Sequence, residues 1–378
     1  MKKILWISDF NLIGSGYLNI SIPLITELVK RGYEIICPGL GYKGQEHYYP
    51  CSIIPARNLQ EALAITQNLK IVWDYDVMVT ALDIPLQIEI LSRFQQKPCP
   101  YIGIMPVEGD PLCVSWAVGI SAMDKAFIIS EFGTEEAKKA GVANAEYIPI
   151  GIDTGAWRMP TDEERKTVRN SLFNANDENF VVLTVADNQE RKLLSRSMEI
   201  FADFISDKED KQKFLYVLVT REKLRFGWKL RDYAQELGIS GNLMIFERGL
   251  DFKTLWSIYA GSDAFLLTSK NEGLGLPLLE AMAVGLPCLA TNCTAMAEVL
   301  ADGRGFLIDV DTICTHRDPF GNARRYFADR AHGVELLNYV YNNRDKCLQA
   351  QKPREYVENR KWEVATDILE AGIKDVIK

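Results

Sequence analysis

Short continuous apolar runs recur along this chain, each followed by a longer stretch with helical spacing, and that alternation narrows the fold more than any other feature. In the first part the runs are residues 4–8, 34–37, 76–80, 101–105 and 125–130. A strand that is apolar on both faces is covered on both faces, as in a parallel sheet between two helical layers. The opening Met-Lys-Lys and the run after it superficially resemble a secretion signal, but Asp9 and Asn11 cut the run short, so it reads as a buried first strand.

A turn-rich stretch, 150–160, separates this series from a second one. Thr161 and Glu164 have the spacing of a capping box opening a charged helix over 162–172. New strands are expected at 180–185, 214–220, 243–246, 264–268, 288–291 and 305–308. With 378 residues there is room for about two domains. The expected division is 1–155, 156–355, and a C-terminal helix within 356–378 that packs back toward the first domain. Residues 309–329, which include His316, Arg317, Asp318, Arg324 and Arg325, have weak periodicity and read as an inserted, solvated loop.

Composition removes several function classes. The chain carries 43 Lys and Arg against 51 Asp and Glu, a net charge of −8. Of these, 13 basic and 17 acidic residues precede Pro160, so neither part is the basic arm that binding a nucleic-acid backbone requires. Eight cysteines lie scattered with no Cys-x-x-Cys pair, and there are three histidines, His47, His316 and His332, so no zinc-ligand spacing exists. Reduced, mostly buried thiols in a cytoplasmic protein are expected. No apolar run reaches the ~18 residues of a membrane helix. No Gly-x-Ser-x-Gly elbow marks a serine nucleophile.

The most informative block follows the run at 264–268: S-K-N-E-G-L-G-L-P-L-L-E-A-M-A-V-G-L-P, residues 269–287. Pro277 suits the first turn of a helix, and Gly273 and Gly275 allow close backbone approach to its free amides. That is an anion-accepting corner fit for a diphosphate or a polar sugar. Glu272 precedes the turn and Glu280 lies about one helical turn beyond it, so both carboxylates can face the same cleft.

Glu272 and Glu280 in this block closely resemble the Glu-x7-Glu signature of retaining GT-B glycosyltransferases, the group 1 or family 4 class. The resemblance extends over most of the chain. Ser130-Glu131-Phe132-Gly133 is similar to that family's Ser-x-Phe-Gly segment, residues 148–153 to its Pro-x-Gly-Val-Asp hinge, and residues 184–192 to its first C-domain strand and Arg-Lys loop. The resemblance implies the GT-B fold, two doubly wound Rossmann-like α/β domains facing a central cleft. It implies that Glu272 contacts the donor sugar, that Gly273, Leu274, Gly275 and Leu276 hold sugar and phosphate through their backbone, and that Glu280 accepts the ribose hydroxyls. Lys192 and Arg191 would stabilise the charge that develops on the leaving phosphate, with Asn188 in the same donor-binding loop. Gly14, Ser15 and Gly16 would lie over the donor phosphates. As a dinucleotide fingerprint that Gly-x-Gly fails, because Asn19 stands where a third glycine is needed. Glu108, after the run at 101–105, is the candidate for a contact to the donor sugar or acceptor hydroxyl, with a plain turn residue as the competing reading.

Two departures from the family pattern stand out. Relatives carry an arginine near 186 or 187, where this chain has Ala186-Asp187. Their Gly-Gly before a glutamate is here Thr294-Ala295, ahead of Glu298. The expected activity is transfer of a sugar from a UDP- or GDP-linked donor to an acceptor hydroxyl, with retention, without a metal and with no further cofactor. The acceptor, whether saccharide, lipid-linked or protein, stays open, as does peripheral membrane contact. A catalytically silent nucleotide-sugar-binding scaffold and a sugar phosphorylase are the alternatives.

Overall fold

The computed structural model describes residues 2–12, 14–318 and 321–377, with the backbone alone for 316–318, 321 and 322. The side chains of His316, Arg317 and Asp318 therefore lie outside the described residues. The chain divides into two compact units, one of residues 1–151, 316–323 and 360–378, the other of 152–315 and 324–359.

The first unit runs β1 (Lys3–Asp9), α1 (Gly16–Lys30), β2 (Glu34–Leu40), β3 (Ser52–Ala56), α2 (Leu59–Val72), β4 (Val77–Ala81), α3 (Ile84–Ser92), β5 (Tyr101–Met105), α4 (Val114–Ser121), β6 (Lys125–Ile128), α5 (Glu131–Lys139) and β7 (Ala145–Tyr147). Its seven strands form one parallel sheet in the order β3-β2-β1-β4-β5-β6-β7. Ile4, Leu5, Trp6 and Ile7 of β1 are fully buried. Each contributes roughly 1.5–3 kcal/mol of transfer free energy, which is why the central strand is apolar on both faces. The helix Trp362–Val376 belongs to this unit. Its Gly372 leaves room for Phe127, whose ring would come within 2.5 Å of a Cβ there, and its Glu370 accepts from Arg31 at 2.9 Å.

Two short edge strands, β3 and β7, escape the sequence reading, and β2 runs on through Pro38 and Gly39 instead of turning there. The β1–β2 ladder pairs Lys3 to Leu5 with Glu34 to Ile36, then Ser8 and Asp9 with Gly39 and Leu40. It steps over Pro38, which has no N–H to give.

The second unit opens on α6 (Asp162–Phe173), where the capping box is present: Glu164 N donates to Thr161 Oγ1 at 3.2 Å and Thr161 N to Glu164 Oε2 at 2.9 Å. There follow β8 (Phe180–Val185), α7 (Leu194–Phe204), β9 (Phe214–Thr220), α8 (Leu230–Glu236), β10 (Leu243–Glu247), α9 (Phe252–Gly261), β11 (Ala264–Leu267), α10 (Leu276–Val284), β12 (Cys288–Thr291), α11 (Thr294–Leu300) and β13 (Phe306–Ile308). The sheet is parallel, in the order β10-β9-β8-β11-β12-β13. Its core packs Met198, Phe201 and Phe204 of α7 against Val182, Tyr216 and Leu266 of the sheet.

The segment expected to be a solvated loop is instead two paired strands, β14 (Val310–Asp318) and β15 (Gly321–Ala328), forming a ribbon of their own. Its apolar and aromatic residues, among them Ile313, Tyr326 and Phe327, have strand propensity that helical periodicity does not detect. Helices α12 (Arg330–Asn342), α13 (Arg344–Leu348) and α14 (Gln351–Glu358) complete the unit.

At the amino end of β11 a charge cluster holds three elements together. The fully buried Asp263 accepts from Arg169 at 2.9 Å, Arg165 at 2.5 Å, Arg344 at 2.6 Å and the Val181 amide at 2.8 Å. Burial of a carboxylate is tolerated here because every lone pair is met.

Candidate functional site

In the second unit β8 and β11 are neighbours, with Ala264 beside Val182. β8 leads onward to β9 on one side of it, while β11 lies on the other. Such a reversal of strand order opens a crevice at the carboxyl ends of the strands, the ligand-binding place of doubly wound sheets. The two loops that leave β8 and β11 meet there.

After β8 the chain makes a tight turn over Glu190–Lys192 and passes through Leu193, held at φ 47°, ψ 47°. A left-handed conformation costs a non-glycine residue about 1–2 kcal/mol. Packing compensates: Leu193 is buried and its carbonyl accepts from Thr268 Oγ1 at 3.0 Å. That turn aims Arg191 and Lys192 at the loop after β11. Lys192 Nζ stands 2.5 Å from Glu272 Oε1, and Arg191 Nη1 stands 3.2 Å from Glu272 Oε2 and 2.5 Å from the Asn271 carbonyl. Burial alone would push the Glu272 carboxyl up, but Lys192 and Arg191 outweigh it and bring it down to about 2. The site thus holds one ionised carboxylate between two cations, a net positive charge.

The loop that carries Glu272 is polar yet buried from Ser269 to Glu272. The base of the ribbon satisfies it. Asn271 Nδ2 donates to the Arg324 carbonyl at 2.9 Å, Arg325 Nη1 to Asn271 Oδ1 at 3.0 Å, and Tyr326 N to the Lys270 carbonyl at 3.2 Å. Lys270 Nζ lies 4.4 Å from the Phe327 ring centre and pairs with Glu190. On the other side Glu272 N donates to Thr294 Oγ1 at 3.0 Å. Thr294 sits at φ 48°, where a glycine would rest without strain, so its hydroxyl gives this chain a contact that a bare backbone could not.

Gly275 ends the loop at φ 84° and α10 begins, with Pro277 in its first turn. Gly273, Leu274 and Leu276 line the same loop-to-helix passage. Glu280, half-buried on α10, accepts from Tyr259 Oη at 2.8 Å. Burial pushes its carboxyl up, the tyrosine draws it back, and the balance is about 7.

Asn188 is buried, and its amide serves the chain itself: Nδ2 donates to the Trp228 carbonyl at 2.8 Å and Oδ1 accepts from Trp228 N at 2.9 Å. Beside it, Asp187 pairs with Arg221, just past β9, and with Arg248, just past β10, at 3.4 Å for the latter. This three-strand charge cluster was missed from sequence, although each member lies within two residues of a strand's carboxyl end.

The remaining candidates lie in the first unit. Gly14, at φ 85°, and Ser15 precede α1, which starts at Gly16 in the loop after β1. The Ser15 hydroxyl is buried and has no hydrogen-bond partner among the described residues. Glu108 is half-buried in the loop after β5. Among the described residues no three His, Cys, Asp or Glu side chains group as a metal site, and no helix is long and apolar enough to cross a membrane.

Known proteins share this arrangement in part. Residues 165–313 match the sequence model of the family described as Glycosyl transferases group 1, a span holding Arg191, Lys192, Glu272 and Glu280. A stretch of 81 residues is 38% identical to D-inositol 3-phosphate glycosyltransferase of Corynebacterium urealyticum, covering 21% of this chain and 19% of that protein. In matches of this kind the chain spans 14% to 19% of the length of its curated relatives. Solved structures extend the likeness to the whole fold. Sucrose-phosphate synthase from Thermosynechococcus elongatus superposes over 99% of both chains with a TM-score of 0.77 at 15% identity. Anabaena HepE in complex with UDP-glucose superposes over 99% of this chain and 100% of its own, with a TM-score of 0.75 at 15% identity. Residues 165–313 are therefore similar to a glycosyl transferases group 1 domain, in a chain with the GT-B fold.

Proposed function

We propose that the chain transfers a sugar from a nucleoside diphosphate sugar to an acceptor hydroxyl, with retention at the anomeric carbon and without a metal. The observation that carries this reading is the pairing of Lys192 and Arg191 with the ionised Glu272 at the ends of β8 and β11. Breaking the bond between sugar and diphosphate builds negative charge on the leaving oxygen. Two cations already held in place stabilise that charge without reorganising. The amides opening α10 and the strain-free Gly275 turn add partial positive charge beside them.

Glu272 accepts hydroxyl hydrogens of the donor sugar, which a carboxylate with two oxygens is suited to do. Glu280 accepts the ribose diol. Retention follows if the acceptor attacks from the face the diphosphate leaves, with a phosphate oxygen taking the acceptor proton. HepE, similar in fold, binds UDP-glucose, which favours a nucleotide-sugar donor here too.

The test is calorimetric binding of UDP-glucose and GDP-mannose, followed by proton NMR of donor turnover in the wild type and Lys192→Ala. Binding with turnover to an α-linked product, lost in the variant, supports the reading. Binding without turnover on any acceptor favours a silent scaffold, and turnover only of a disaccharide with inorganic phosphate favours a phosphorylase.

A further inference from the structure

The loop between β9 and α8, residues 221–229, reads Arg-Glu-Lys-Leu-Arg-Phe-Gly-Trp-Lys. Phe226 is 84% exposed and Trp228 40% exposed. Large aromatics left in water forgo the gain of burial, and a cluster of them marks a contact surface. This loop is also pre-shaped. The Asn188 amide grips residue 228 by both its N–H and its carbonyl, and a Cβ on Gly227 would come within 2.6 Å of Asn188 Nδ2. On α8 the ring of Tyr233 lies 5.2 Å from that of Trp228, inclined by 42°.

These aromatics line a cavity of about 630 Å³ together with Glu190, Asp232, Glu236 and Lys229, within the range of roughly 300–1,000 Å³ usual for small-ligand sites. Asp232 and Glu236 stand one turn apart on α8, a spacing at which like charges oppose the helix. Both are exposed, and neither enters an ion pair among the described residues.

Aromatic faces beside carboxylates suit two kinds of ligand, organic cations and polyols. Lys229 decides between them. Its ammonium cancels one of the two free carboxylates of the same lining, and Glu190 is already neutralised by Lys270, which weakens the pull on a cation. Sugar hydroxyls, by contrast, donate to carboxylates and accept from an ammonium at once, while the apolar face of a sugar ring lies flat on an indole.

We infer that this cavity binds a neutral oligosaccharide, with one ring against Trp228 and hydroxyls on Asp232 and Glu236. Glu190 opens the turn that carries Arg191 and Lys192, so the glycan lies beside the donor loop. The inference deepens the glycosyltransferase reading. It rests on that reading for the glycan's role as acceptor or product, not for its binding.

Binding is measured without nucleotide, by saturation-transfer NMR and calorimetry, with maltotriose, mannotriose, cellotriose and N-acetylated chitotriose. At least one is expected to bind in the millimolar range, with about tenfold weaker binding to Trp228→Ala, little change in Trp228→Phe, and weaker binding to Asp232→Asn/Glu236→Gln. UDP and GDP affinities stay unchanged in Trp228→Ala, because Asn188 holds only the backbone of that residue. Lys192→Ala keeps trisaccharide binding while losing transfer. Four inert trisaccharides at tens of millimolar, equal binding to Trp228→Ala, or stronger binding of choline overturns the inference. A wild type that binds a trisaccharide but no nucleotide sugar overturns the proposed function and leaves this site standing.

Discussion

Lys192 and Glu272 lie eighty residues apart in sequence and 2.5 Å apart in space, the ammonium on one oxygen of a carboxylate that is almost wholly buried. Replacing Glu272 by Gln leaves two cations without their shared partner. Donor turnover is expected to fall about 100-fold or more, read by single-turnover kinetics. The carboxyl is held near 2, so its contribution to stability is present above the ordinary glutamate range and is lost as pH falls toward 2. Urea unfolding from pH 6 to pH 3 should therefore show a steeper loss in the wild type than in Glu272→Gln; parallel profiles would contradict the pairing.

Glu280 behaves in the opposite sense. Its carboxyl is raised to about 7, so the folded protein keeps a proton that the unfolded chain releases near 4.3. The stability this proton provides is full at low pH, declines between those two values and is constant above about 7. Nucleotide affinity runs the other way, because the ionised form accepts a diol better, and should rise as pH climbs through 7. Glu280→Gln should flatten that profile. Tyr259→Phe removes the hydroxyl that favours the charged form and should move the midpoint upward, as calorimetry of UDP or GDP between pH 5.5 and 8.5 would show.

Asp263 is a purely structural acid. Asp263→Asn leaves fully buried Arg169 without its counter-charge, held by backbone carbonyls alone, and weakens the hold on Arg165 and Arg344, an expected loss of about 3–5 kcal/mol in chemical unfolding. Nucleotide affinity of the molecules that remain folded should be unchanged. A loss under 1 kcal/mol would show the cluster to be energetically idle.

Asn271→Ala cuts two hydrogen bonds between the β14–β15 ribbon and the loop before Glu272. It should destabilise by about 1–3 kcal/mol and speed amide hydrogen exchange at residues 270–272 while exchange in β8 stays slow. Uniform exchange across both would mean that the ribbon does not buttress the loop.

Strand positions in the second unit were legible because each is a short apolar run, and β8, β9, β11 and β12 are buried on both faces. β8 spans 180–185, as read from sequence, and Pro277 starts its helix where expected. Glu272, Lys192 and Glu280 stood out through local spacing and resemblance. Asp187, Arg221 and Arg248 did not, because their neighbourhood is created only by laying β8, β9 and β10 side by side. The ribbon was missed for a related reason: its residues are neither helical in period nor apolar on both faces, and its base is held by a buried loop some fifty residues earlier. Trp228 carried no motif either; its meaning depends on Asn188, forty residues upstream.

β11 has four residues. Asp263, just before it, is moored to guanidiniums from α6 and α13, and the loop just after it is moored through Glu272 to the turn following β8. A rod so short and pinned at either end cannot slip in register without breaking charge contacts at one end or the other. The Glu272 carboxylate thereby inherits its rigidity from an aspartate at the opposite end of the strand.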